Sequence, residues 1–120
     1  MYTSTQQINV SAQQELRSRH FLSFCIAGFT YWYGVDVCQQ LKVGDRLGLL
    51  PEPYNPYDPS AVAIYYMDKK IGYVPRYLNA ELSQLLYFGH DIFEAIISQI
   101  NFEKHPEQQV RVVIRIKNRP

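Results

Sequence analysis

The sequence predicts a mainly β domain, a small barrel or curled sheet of about six strands with one helix. Three observations lead there. Short runs rich in Val, Ile, Tyr and Phe recur between clusters of Gly, Pro, Asn and Asp, the pattern of strands and turns. Only one segment carries apolar residues at helical spacing. The chain of 120 residues, 47% hydrophobic, has the mass for a single hydrophobic core.

Residues 1–19, rich in Gln, Ser and Thr with Ile8, Val10 and Leu16 as scattered apolar anchors, read as an arm before a domain spanning 20–120. The β-rich run from His20 to Tyr31 is the first strand, and Gly34 allows a turn. A second turn at Leu41–Asp45 leads into the strand Arg46–Leu50. Ala61–Met67 is a strong strand, with Asp68-Lys69-Lys70 as its hairpin turn and Ile71–Val74 as the return. The helix runs from an Asn79 cap to Phe88: Leu78, Leu82, Leu85 and Leu86 fall on one face, and Gly89 ends it. Asp91–Phe102 has the β-branched content of a long strand. In the last strand, Val110, Val112, Ile114 and Ile116 alternate with Arg111, Val113, Arg115 and Lys117; Arg111, Arg115 and Lys117 read as its solvated face, with a second DNA-facing stripe as the alternative.

Between two of these strands stands Glu52-Pro53-Tyr54-Asn55-Pro56-Tyr57-Asp58-Pro59-Ser60-Ala61. Each proline removes a backbone donor and fixes its own φ, and the residues before the prolines are pushed toward extended conformations. The segment should be a stiff irregular loop that displays aromatic rings and a carboxylate at set angles.

Composition narrows the function. The formal net charge of +1 gives no global positive field, so any anion site must be local. Ten tyrosines suit a binding surface, since Tyr offers an apolar face with a hydroxyl. Cys25, in an apolar run, reads as a small buried hydrophobe, and a disulfide to Cys38 is not expected. His20, His90 and His105 are too scattered for a metal site. The acids fall mostly at turns, and neither a phosphate loop nor a serine nucleophile motif is present. No segment approaches a membrane span and no leader pattern opens the chain. A cytoplasmic, non-catalytic binder without a cofactor is the expectation.

Three segments in order resemble the HIRAN domain, a module of certain replication-fork-remodelling helicases and of small stand-alone bacterial and phage proteins. They are Ile26–Gly34, with its apolar–Gly–apolar opening and paired aromatics; Gly44–Leu49 running into the proline loop and Val62; and Ile71-Gly72-Tyr73-Val74-Pro75-Arg76. The resemblance covers about residues 21 to 90. It implies an OB-like β-barrel that captures single-stranded DNA at its free 3′-OH end. By position, Tyr31 matches the stacking aromatic, with Trp32 beside it. Tyr57 and Asp58 match the pair that closes on the terminal nucleotide, the carboxylate accepting from the 3′-hydroxyl. Asn55 matches a polar contact there, and Arg76 a basic residue at the backbone. This chain departs from the pattern at Tyr54, where a second Asn can occur, at Tyr73, where a His can occur, and at Arg76, where Lys is known. Arg for Lys keeps the charge and adds a fork suited to phosphate.

The residues argue in the same direction. Stacked bases contribute roughly 1–3 kcal/mol each on aromatic faces, and Tyr31, Trp32, Tyr54 and Tyr57 supply such faces. Arg76, with Lys69 or Lys70, supplies charge. A carboxylate among phosphates makes sense where the phosphates stop and a hydroxyl is offered, and it would reject a 3′-phosphate. Bland roles compete: Asp58 and Asn55 holding the loop, Tyr57 as a plug, Trp32 as core, Arg76 paired with Glu81. At the level of function, the rivals are a protein-interaction module gripping a peptide with the aromatic loop, and a small accessory protein of a nuclease or helicase system.

Overall fold

Six antiparallel strands form one sheet in the order β1-β6-β5-β2-β3-β4, with one main helix. The computed structural model describes residues 19–117, so the arm expected over 1–19 lies outside the described residues except for Arg19, which opens the first strand instead. In chain order the elements are β1 (Arg19–Cys25), a four-residue helix α1 (Gly34–Val37), β2 (Arg46–Pro51), β3 (Val62–Tyr66) and β4 (Lys69–Tyr73). After a single helical turn at Arg76–Leu78 come α2 (Ala80–Tyr87), β5 (Phe93–Ile100) and β6 (Val110–Ile116).

The sheet is not closed by a continuous ladder. Its edges meet at one point, where Ala27, just past β1, pairs with Tyr73 at the end of β4 through two backbone hydrogen bonds of 2.9 and 2.8 Å. Gly72 makes that approach possible. Its φ is +149°, and a Cβ there would lie 2.5 Å from the Ala27 carbonyl oxygen and collide with the Ile26 side chain.

The curled sheet wraps one core. Phe24 and Ile26 come from the β1 end; Val62 and Ile64 from β3; Ile71 from β4; Ile97 from β5; and Val110, Val112 and Ile114 from β6, all buried. Leu82 of α2 is fully buried against this core, with Leu78, Leu85 and Leu86 half-buried around it. The alternation expected in the last strand thus holds for Val110, Val112 and Ile114.

Several expectations need correction. The first strand ends at Cys25 rather than Tyr31: residues 28–33 form a turn that sends Phe29 into the core and leaves Tyr31 outside. Gly34 opens α1 rather than a simple turn, and it must be small because a Cβ would sit 2.7 Å from the Phe29 ring. Cys25 is half-buried, not buried, since the two-residue period that turns Phe24 inward turns Cys25 outward. The hairpin turn is Met67-Asp68; Lys69 and Lys70 already pair with Tyr66 and Tyr65. Asn79 precedes α2 but makes no side-chain cap. Its amide donates to the Asp58 carboxylate instead, a charge-assisted bond about twice as strong as a neutral one.

Candidate nucleic-acid interface

Two loops meet where the sheet edges join. The turn 28–33 brings Tyr31 and Trp32 to one side, and the proline loop brings Asn55, Tyr57 and Asp58 to the other. Tyr73 and Val74 of the β4 end, Arg76 and Asn79 complete an open cleft of about 420 Å³. Seven of the eight residues singled out from the sequence therefore line one cavity: Tyr31, Trp32, Asn55, Tyr57, Asp58, Tyr73 and Arg76. Tyr54 does not, and it stands 92% exposed.

The proline loop is braced from within. The Asn55 side-chain oxygen accepts from the backbone N–H groups of Tyr57 (2.8 Å) and Asp58 (3.1 Å), and its amide donates to Glu52 (3.1 Å). Asn55 thereby acts as a local Asx-type brace, with one amide hydrogen left over. Asp58 accepts from the Ser60 N–H at 2.9 Å through one oxygen and from the Asn79 amide at 2.9 Å through the other. The Arg76 guanidinium lies 3.6 Å from that second oxygen and donates to the Tyr57 carbonyl at 2.8 Å. Arg76 pairs with the loop, not with Glu81. A carboxylate has about four acceptor positions, so two hydrogen bonds leave Asp58 able to accept another at the cleft.

The rings are free. Tyr31 and Tyr57 are each 84% exposed and Trp32 is 37% exposed, so neither Tyr57 nor Trp32 is spent as a core plug. Trp32 meets Tyr31 edge-on at 6.1 Å and Tyr73 at 5.9 Å between centroids.

Beneath Trp32 lies a group that sequence reasoning did not assemble. Lys70 Nζ sits 2.7 Å from Glu52 and donates to the Tyr73 hydroxyl at 3.1 Å, while that hydroxyl donates to Glu52 at 2.8 Å. The same ammonium lies 4.2 Å from the Trp32 ring centroid, within cation–π range. Burial works to raise the Glu52 pKa, but hydrogen bonds from Lys70, Asn55 and Tyr73 outweigh it and hold the carboxyl below its usual value. Burial works to lower the Lys70 pKa, and the bonds to Glu52 and Tyr73 outweigh it, so the ammonium is held more tightly than usual. Burial raises the Tyr73 pKa. At neutral pH the pair is ionised and Tyr73 is neutral, with its hydroxyl engaged by both partners. Lys70 is thus a clamp on Trp32 neutralised inside the protein, and not the free phosphate cation the sequence suggested. Lys69 lies 5.1 Å from the Tyr33 ring centroid.

A bulge explains why this was hidden. Ile64 pairs with Gly72 but Tyr65 pairs with Lys70, leaving Ile71 extra. One inserted residue shifts the two-residue period, so Lys70 and Tyr73, three apart, share a face. Asn79 was equally hidden, because its position marks a helix start and only the folded chain brings Asp58 within reach.

The family model of the HIRAN domain matches residues 20–117. No curated protein matches the chain. Among solved structures, a protein from Lactobacillus plantarum superposes with a TM-score of 0.70 at 22% identity, covering 82% of this chain and 94% of its own. The HIRAN domain of human HLTF superposes with a TM-score of 0.62 at 17% identity, covering 82% and 78%. These likenesses show a shared fold, and the family-model match over nearly the whole described chain makes this protein a member of the HIRAN domain family, a DNA-binding module.

Proposed function

We propose that the cleft binds single-stranded DNA at a free 3′-OH end and performs no chemistry itself, a helicase or nuclease partner acting on the DNA. The observation that carries this is the Asp58 carboxylate, with acceptor capacity to spare, lining one cleft with the exposed rings of Tyr31 and Tyr57 and beside the Arg76 guanidinium. The rings offer faces for the last bases, each stack contributing roughly 1–3 kcal/mol. Arg76, already oriented by the Tyr57 carbonyl, keeps further donors for the last phosphodiester. Asp58 accepts from the terminal hydroxyl and repels a phosphate in its place. Arg76 also lowers the cost of holding that carboxylate near DNA.

Fluorescence anisotropy with four short ligands tests this: single strands ending in 3′-OH or 3′-phosphate, a blunt duplex, and an RNA strand. The expected result is preference for the 3′-OH strand, unchanged in EDTA, with the 3′-OH to 3′-phosphate ratio collapsing in Asp58→Ala. Equal affinity for the two strand ends in the unaltered protein refutes end reading, and binding to none of the four returns the cleft to the peptide-gripping alternative.

A further inference from the structure

A strand whose end sits in the cleft must leave it, and the walls offer a route. Residues 74–77 form a ridge: Val74 and Arg76 line the cleft, while Pro75 and Tyr77 line a second hollow of about 410 Å³ that shares Ala27 with it. That hollow in turn shares Cys25, Gln108 and Arg111 with a third, of about 280 Å³, which also takes in Lys104. Arg111 is paired in register with Cys25, two residues before Ala27. Cys25 is thus about 6.6 Å of extended chain from the cleft wall, and Arg111 is its neighbour across the ladder.

The chemistry of this groove suits a phosphate chain. The Arg111 guanidinium rests 3.6 Å from the Cys25 sulfur, and neither Arg111 nor Lys104 forms an ion pair among the described residues. Lys117, just past the end of the strand that carries Arg111, is paired with Asp91 at 2.8 Å. The loop carrying Lys104 is shaped in advance, with the Gln109 amide donating to the Lys104 carbonyl at 3.1 Å. Glu107 is the one carboxylate in these walls. By contrast, the hollow behind the proline loop, about 160 Å³, shares no wall residue with the cleft and holds no cation.

We propose that the groove from Ala27 to Lys104 carries the nucleotides upstream of the bound strand end. Arg111 and Lys104 take successive phosphates, and the Tyr77 ring, 84% exposed, offers a face to a base as the strand crosses the ridge. The inference rests on the proposed end reading, which gives the strand its fixed starting point.

The test is anisotropy with 3′-OH oligothymidylates lengthened from two nucleotides to eight, against Arg111→Gln/Lys104→Gln and Glu107→Gln. Both cations are exposed, so the double variant should fold normally. For the unaltered protein, affinity should rise about tenfold or more with length. The double variant should lose that rise, keep its dinucleotide affinity within about twofold, and show a salt slope flatter by about 1.4, from roughly 0.7 per lost phosphate contact. Glu107→Gln should tighten the longest strand. Affinity independent of length in the unaltered protein, or a rise that survives the double substitution, overturns the groove. If an eight-nucleotide strand ending in 3′-phosphate binds as well as its 3′-OH counterpart while the rise and its loss persist, end reading fails and the groove stands.

Discussion

The proline loop, 52–61, and the aromatic turn, 28–33, face each other across one cleft but hold their shapes by different means. In the loop nearly every polar side chain is turned to structural use: Glu52, Asn55 and Asp58 bond to the loop backbone, to β4, to Asn79 and to Arg76. The turn has no such net. It is held by close packing of Phe29 and Gly34, by the Ala27–Tyr73 bridge and by the Lys70 ammonium against Trp32. One wall is a polar lattice that keeps the exposed Tyr57 ring and an acceptor on Asp58 for the cleft, and the other is a display of ring faces. The division teaches where affinity and selectivity should reside: stacking on the turn and on Tyr57, discrimination of the strand end on the braced carboxylate of the loop.

Joining the walls is the point of greatest expected sensitivity. Gly72→Ala forces a Cβ into Ala27 and Ile26 at a positive φ, which combines backbone strain with overpacking and should destabilise by about 3 kcal/mol. Urea denaturation checks this; an unchanged midpoint would mean that the bridge yields without loss.

Removing a ring from the display should separate binding from stability. For Tyr31→Ala, affinity for single strands should fall by about 1–3 kcal/mol, while the denaturation midpoint should stay within about 0.5 kcal/mol, as for an exposed site. Equal losses in both would put Tyr31 in the frame of the turn rather than on its surface.

The lattice should respond to pH. Glu52 has a lowered folded-state pKa, so its contribution is present above the unfolded value and is lost as pH falls through the folded one. Lys70 and Tyr73 have raised values, so theirs are present below the unfolded values and are lost as pH rises through the folded ones. Glu52→Gln should therefore destabilise by about 1–2 kcal/mol at neutral pH, the scale of a hydrogen-bonded charge, and the difference from the unaltered protein should shrink on acidification. Trp32 is the only tryptophan, and its fluorescence should shift in Glu52→Gln as the Lys70 clamp loosens. A difference that persists into acid would place the effect elsewhere.

The smallest effect is expected at Tyr54, which is exposed and does not line the cleft. Tyr54→Ala should alter neither the midpoint nor single-strand affinity by more than about 0.5 kcal/mol. A larger loss of affinity would extend the interface around the outside of the loop.

Much of this was open to sequence reasoning where local chemistry decides. The two-residue period of β6, the Leu spacing of α2 ended by Gly89, and the proline spacing of 51–61 each carry their own structural consequence, because strand alternation, helical phase and proline φ are properties of a few adjacent residues. The ring of Tyr57 was legible as display for the same reason, since it stands among prolines that no strand or helix could absorb; Tyr31 reads from the sequence as the end of the first strand, and its display role comes with the family resemblance. Tertiary structure alone decided which long-range partners those residues meet. The bulge at Ile71, which brings Lys70 and Tyr73 onto one face, lies in the register between β3 and β4, next to the point where Gly72 passes Ala27. The division of Asp58 between Ser60, Asn79 and the open cleft depends on where α2 docks. Contacts between residues some 20 positions apart arise from packing of the whole curled sheet, and no local period encodes them.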